Sequence, residues 1–215
     1  AITTQPNYAW AHAVKGSALS FKNDPSAAAE LEKAISLDPG VGAFYFEAAR
    51  SEARLKDAGK AESFLAAYAK SLKTDDRYHV VYGDLMRDLN NPKKAISEYQ
   101  EAIKVNPANA SAHYNVGVLL MPTDAAAAEK ELGNALLAQQ TYPEAHVRLG
   151  DLKFAKHDTE NALEEYAHAL VDMKTSGAPR ENITGLIDEV NKKLLAEKKK
   201  DIAKTWMVEA PQLVR

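Results

Sequence analysis

Small and large apolar residues recur along the chain with a helical rather than a strand period. Ala27, Leu31 and Ala34 follow an i, i+4, i+7 spacing, and the spacing returns at Ala61-Leu65-Tyr68, Ala95-Tyr99-Ala102, Ala128-Leu132-Ala135 and Ala162-Tyr166-Ala169. Side chains spaced in this way share one narrow stripe of an α-helix, so five slim-faced helices are predicted. Eleven or twelve residues before each stripe stands a small residue: Gly16, Ala49, Gly83, Gly117 or Gly150. Four residues earlier again come His12, Tyr45, His79, His113 and His146, a ladder with a step of 33 or 34 residues. A period of that length marks a stack of supersecondary units, here helix, turn, helix, with the small residues placed where two helices approach closely.

The turns between the two helices of a unit carry their own punctuation: Lys22-Asn-Asp-Pro25, Lys56-Asp-Ala-Gly59, Asn90-Asn-Pro92, Pro122-Thr-Asp124 and Lys156-His-Asp158. Asp or Asn before the second helix predicts an N-cap, and proline just inside presets the first-turn dihedral. Pro39 and Pro107 close two of the units. On these columns the sequence resembles the tetratricopeptide repeat, whose 34-residue pattern runs aromatic, large apolar, glycine, alanine, aromatic, alanine, proline. The stretch from His79 to Pro107 matches it best, and the second unit departs most, with Ala49 for glycine, Tyr68 for alanine and no closing proline.

The resemblance implies an all-α, right-handed superhelical solenoid of five repeats, at about 8–40, 41–75, 76–109, 110–142 and 143–176. Residues 1–7 read as the end of a preceding repeat, because Ala1-Ile-Thr-Thr-Gln-Pro6 parallels Ala34-Ile-Ser-Leu-Asp-Pro39. The sequence is therefore expected to be a piece or processed form of a longer protein, with an uncapped first repeat prone to self-association. After Gly177-Ala-Pro179, residues 177–206 are expected to form a capping helix with Ile183, Leu186, Ile187, Val190, Leu194 and Ile202 on one face, and 207–215 an extended tail.

Charge and chemistry narrow the function. Six lysines between Lys192 and Lys204 face only Glu197 and Asp201, so this +4 stretch leaves −7 on the rest of a chain of net charge −3. An acidic body argues against a nucleic-acid surface. There is no cysteine, hence no disulfide, thiolate metal site or thiol nucleophile. No apolar run reaches the roughly 18 residues of a membrane span. The protein is expected to be soluble, cytoplasmic or, if an upstream signal is removed, periplasmic or secreted.

The histidine ladder is read as architecture. Neighbouring rungs are separated by at least a helix-packing distance of roughly 8–10 Å, whereas zinc ligands all lie about 2 Å from one ion. Each histidine stands in the column that the family fills with an aromatic residue; His157 and His168 are read as lying on a turn and a helix face without partners. No phosphate loop, zinc-protease motif, calcium loop or nucleophile elbow occurs, Gly40-Val-Gly42 is read as a turn between repeats, and no cofactor, metal or catalytic residue is expected. Asn109-Ala-Ser111 and Asn182-Ile-Thr184 match the glycosylation sequon, which matters only in a eukaryotic secretory setting.

In proteins of the resembled family the first helix of each repeat lines a groove that holds a partner peptide. Here that implies Phe46, Val80, Tyr114 and Val147 beside the ladder, with Arg50, Arg87, Met121 and Phe154 further along the helices. Asn115 and Arg148 fit two places of the family's two-carboxylate clamp, but Val80, Asp84 and Glu144 occupy others that need lysine or asparagine. The expectation is a non-catalytic scaffold for a protein or peptide partner. Two alternatives stand beside it: the accessory domain of a larger enzyme or assembly, and a self-assembling array.

Overall fold

The structure, a computed structural model, describes residues 8–175 and Lys192. The expected repeat end at 1–7, capping helix at 177–206 and tail at 207–215 lie outside the described residues, Lys192 apart. Among those described there are ten α-helices and no strand: α1 (Ala9–Phe21), α2 (Ala27–Leu37), α3 (Gly42–Arg54), α4 (Ala58–Ser71), α5 (Asp76–Asp88), α6 (Pro92–Val105), α7 (Ala110–Leu120), α8 (Ala125–Ala138), α9 (Pro143–Ala155) and α10 (Thr159–Thr175). The chain divides into two compact units, Ala1–Pro107 with α1 to α6 and Ala108–Arg215 with α7 to α10. In the first unit α1/α2, α3/α4 and α5/α6 pack as pairs, α2 lies on α3, and α1, α3 and α5 stand side by side. In the second, α7/α8 and α9/α10 pair and α8 lies on α9.

Side-chain caps start at least five of the ten helices. Asp57, Asp75, Asn91, Asn109 and Asp124 each accept a hydrogen bond from the backbone N–H three residues on, satisfying one of the donors a helix start leaves open. Asp24 behaves differently: it accepts from the N–H and hydroxyl of Ser26, and α2 begins only at Ala27. In four of the five turns inside a pair, one residue takes a left-handed conformation: Asn23, Lys56, Asn90 and His157, with φ from 53 to 65°. The next residue then returns its N–H to a carbonyl in the last turn of the first helix, as from Asp57 to Glu52 and from Asn91 to Met86.

The stripe is the core of each pair. Ala27, Leu31, Ala34, Ala61, Leu65, Ala95, Tyr99, Ala102, Ala128, Leu132, Ala135, Ala162 and Ala169 are wholly buried, and Tyr166 almost so. Full burial of each leucine stabilises the fold by about 1.5–3 kcal/mol relative to leaving it in water. The first helix meets the stripe through glycine: a Cβ on Gly16 would sit 2.6 Å from Leu31 Cγ, one on Gly83 2.5 Å from Tyr99 Cε1, and those on Gly117 and Gly150 as near Leu132 and Tyr166.

The second repeat departs from the pattern with a physical compensation. Tyr68, in an alanine column, stacks on Phe46 at 4.8 Å and on Tyr78 of α5 at 5.1 Å, and meets Tyr45 edge-on. Burial pushes the Tyr78 hydroxyl up to about 12 and raises that of Tyr68 as well, so the cluster stays uncharged. Gly42 belongs to this packing. Rather than serving a turn, it is the first residue of α3, and a Cβ there would stand 2.5 Å from Tyr68 Cε2.

Candidate binding surface

Each histidine of the ladder has a partner that sequence reasoning missed. His12 Nδ1 lies 2.7 Å from Glu30, His79 Nδ1 3.0 Å from Glu98, His113 Nδ1 2.6 Å from Glu131 and His146 Nδ1 2.8 Å from Glu165. Every pair ties the first helix of a repeat to the second, so the ladder holds repeats together from within. The signal was present: glutamate stands three residues after the first alanine of the stripe in the same four units that carry histidine, and the unit with Tyr45 has Phe64 there instead. Hydrogen bonds from Lys15 and His12 lower the pKa of Glu30. Burial would raise that of Glu165, but hydrogen bonds from His146 and Lys153 outweigh it and the net shift is downward. His168 has company too, its ring stacked on His146 with centroids 5.2 Å apart. Among the described residues no group of three or more His, Asp or Glu is placed to hold a metal ion.

A second link appears where the middle residue of the stripe is tyrosine. Tyr99 donates to Asp84 at 2.8 Å, and Tyr166 donates to Asp151 at 2.8 Å. Arginines complete both: Arg87 lies 3.1 Å from Asp84, and Arg148 donates to Asp151 at 3.0 Å. Where the stripe carries Leu31 or Leu132, the position after glycine is Ser17 or Val118 and the link is missing from the sequence.

The residues expected to face a partner divide by burial. Phe46, Asn115 and Val147 are only 5%, 9% and 8% exposed. Phe46 is covered because Tyr68 fills the space an alanine would leave, and Val147 packs with Leu163 and Tyr166. Phe154 packs half-buried on that same cluster, and Met121 lies half-buried on the core around Leu132 and Leu149. Tyr114 is half-buried, 5.1 Å from the Tyr142 ring, and its hydroxyl hydrogen-bonds Arg148, which draws these two expected residues together in the second unit. In the first unit Val80 is half-buried, Arg87 is tied to Asp84 and Asp88, and Arg50 lies 3.2 Å from Glu47.

The first unit also exposes groups that the sequence did not single out. Trp10, Val14 and Phe21 occupy one stripe of α1 and are 48%, 66% and 74% exposed. Beside Phe21, the Arg54 guanidinium lies 4.6 Å from its ring centre and donates to Ser20 Oγ at 2.6 Å. Arg50, Ala53, Arg54, Lys56 and Asp88 line a pocket of ≈ 270 Å³ there.

Comparison with known proteins fits this architecture. A family described as tetratricopeptide repeat matches residues 15–76, and one described as TPR repeat matches residues 83–121. No curated protein sequence matches the chain. Among solved structures, PilF of Pseudomonas aeruginosa is similar over 95% of this chain and 91% of its own, with 16% identity and a TM-score of 0.67. Yeast Tom70 is 17% identical over 97% of this chain and 44% of its own, with a TM-score of 0.75. YrrB, described as a TPR protein with an unusual peptide-binding site, is 19% identical over 80% of this chain and 90% of its own, with a TM-score of 0.53. At such identities the likeness carries the fold alone. With two stretches of sequence matched and the helices paired as the 33–34-residue period requires, the chain belongs to the tetratricopeptide repeat family.

Proposed function

We propose that the protein is a scaffold that binds a segment of a partner protein along the first helices of its repeats. Tetratricopeptide repeats generally serve as protein-interaction scaffolds and are typically non-catalytic. The observation that carries the reading further is the row of Trp10, Val14 and Phe21, large apolar side chains left in water on a first helix. Exposed apolar groups gathered in one place mark an interaction surface. In the second unit Tyr114 and Arg148 offer an aromatic and a cation together, residue types enriched among interface hot spots. Phe154, Met121 and Val80 contribute what remains of their half-buried surfaces, while the buried Phe46, Asn115 and Val147 act by positioning.

Selection of a random-peptide display library on the immobilised full chain tests the proposal. Peptides are expected to be recovered, and the V14E/F21E/R148A variant is expected to bind them at least about tenfold more weakly, the scale of one hot spot. Unaltered circular dichroism would show that the variant still folds. Recovery of no peptide, or equal binding by the folded variant, would overturn the reading. A second copy of the chain is the competing occupant of the α1 row. A dimer in light scattering that V14E/F21E dissolves, without peptide recovery, would favour it.

A further inference from the structure

We propose that the pocket lined by Arg50, Arg54, Lys56 and Asp88 is a carboxylate subsite, which takes an Asp or Glu side chain of the bound peptide while an adjacent apolar residue of that peptide lies on Phe21 and Val14. The inference rests on the binding reading above and gives it a ligand chemistry. Three cations line this one pocket in a chain whose net charge is −3, and of the three only Arg50 has a carboxylate neighbour, Glu47 at 3.2 Å. Arg54 is aimed without being neutralised, since Ser20 Oγ and the Phe21 ring hold it. Among the described residues no carboxylate is within ion-pair distance of Arg54 or Lys56. The pocket's one anion, Asp88, already lies 3.2 Å from Arg87.

A cation in the last turn of α3 is favoured by the helix dipole in any case. That effect accounts for one such side chain, not for three around a cavity with one of them locked by a neighbouring helix. A guanidinium presents a planar fork that matches a carboxylate. Asp88 in the lining opposes a dianion more than a monoanion, which favours carboxylate over phosphate. The apolar neighbour follows from Phe21, 74% exposed with Arg54 against its ring. These positions differ from Val80, Asp84, Asn115, Glu144 and Arg148, where the family's two-carboxylate clamp would lie.

The peptides recovered on the full chain supply the test. They are expected to be enriched in an Asp or Glu next to an apolar residue, and changing that acid to its amide is expected to weaken binding about fivefold, as for a partly exposed charge pair. The R50E/K56E variant should lose the preference for acid over amide or reverse it, because glutamate repels the peptide carboxylate, as should R54E. Peptides recovered without acidic enrichment, or an acid preference that survives all these substitutions, would overturn the subsite and leave the binding function standing. Failure to recover any peptide would overturn both.

Discussion

Ser51 is 1% exposed in α3, and its hydroxyl is the one buried side-chain oxygen or nitrogen without a hydrogen-bond partner among the described residues. In three other repeats the corresponding position is Leu85, Leu119 or Leu152. An unmet buried hydroxyl costs free energy that its removal returns. Ser51→Ala should therefore raise stability by about 1 kcal/mol in urea unfolding, and an unchanged midpoint would mean that the oxygen is already satisfied. Glycine allows a sharper comparison, because helix propensity and packing pull in opposite directions. A Cβ added to Gly133, in α8, would meet nothing within 4 Å, so Gly133→Ala should stabilise by about 0.5–1 kcal/mol. Gly83→Ala gains the same propensity but drives a methyl to 2.5 Å from the fully buried Tyr99 ring. It should lose about 1–3 kcal/mol, as overpacking does. If both alanines shift the unfolding midpoint the same way, the contact at Gly83 does not limit the fold.

Between helices, the glutamate–histidine bonds set the pairing alongside the apolar stripe. Glu131 keeps 24% of its side chain in water, so its bond to His113 is a partly desolvated one. Removing one partner leaves the other short of a bond, whereas replacing both by apolar residues need not. The Tyr45 and Phe64 columns show such a replacement within this chain. A cycle of His113→Tyr, Glu131→Phe and the double variant should give a favourable coupling of about 0.5–3 kcal/mol in unfolding. Additive single effects would show that the two columns act independently. The stripes were legible in the sequence because a helix period exposes them directly. The glutamates were not read, since a charged residue on a helix looks solvent-facing until the opposite helix is known.

Acid should weaken the whole molecule through these same links. The pKa values of Glu30 and Glu165 are lowered in the folded protein from an ordinary 4.5. Stability from a depressed carboxylate is complete above its unfolded pKa and is lost as pH falls through the folded one. The urea midpoint should therefore hold down to about pH 4.5 and decline below it, and Glu165→Gln should show a shallower acid decline than the parent. An acid decline as steep in the variant as in the parent would assign the loss to other groups. Each unit has its own helix pairs and core packing, as in repeat proteins whose stability is close to a sum of repeat and neighbour terms.

The sequence by itself determined the helices, their pairing and the residues of the stripe, because period, small residues and capping chemistry are local properties of a chain. It also placed the ladder residues in one column of the repeat, on the first helix of each pair. Only the tertiary structure decided which side chains stay exposed. Phe46 is buried because Tyr68 reaches across from the next helix, and Arg54 is aimed because Ser20 and Phe21 lie beside it. Burial and charge neutralisation depend on residues distant in sequence, and a repeat pattern that names each column does not say which column a neighbouring helix will cover.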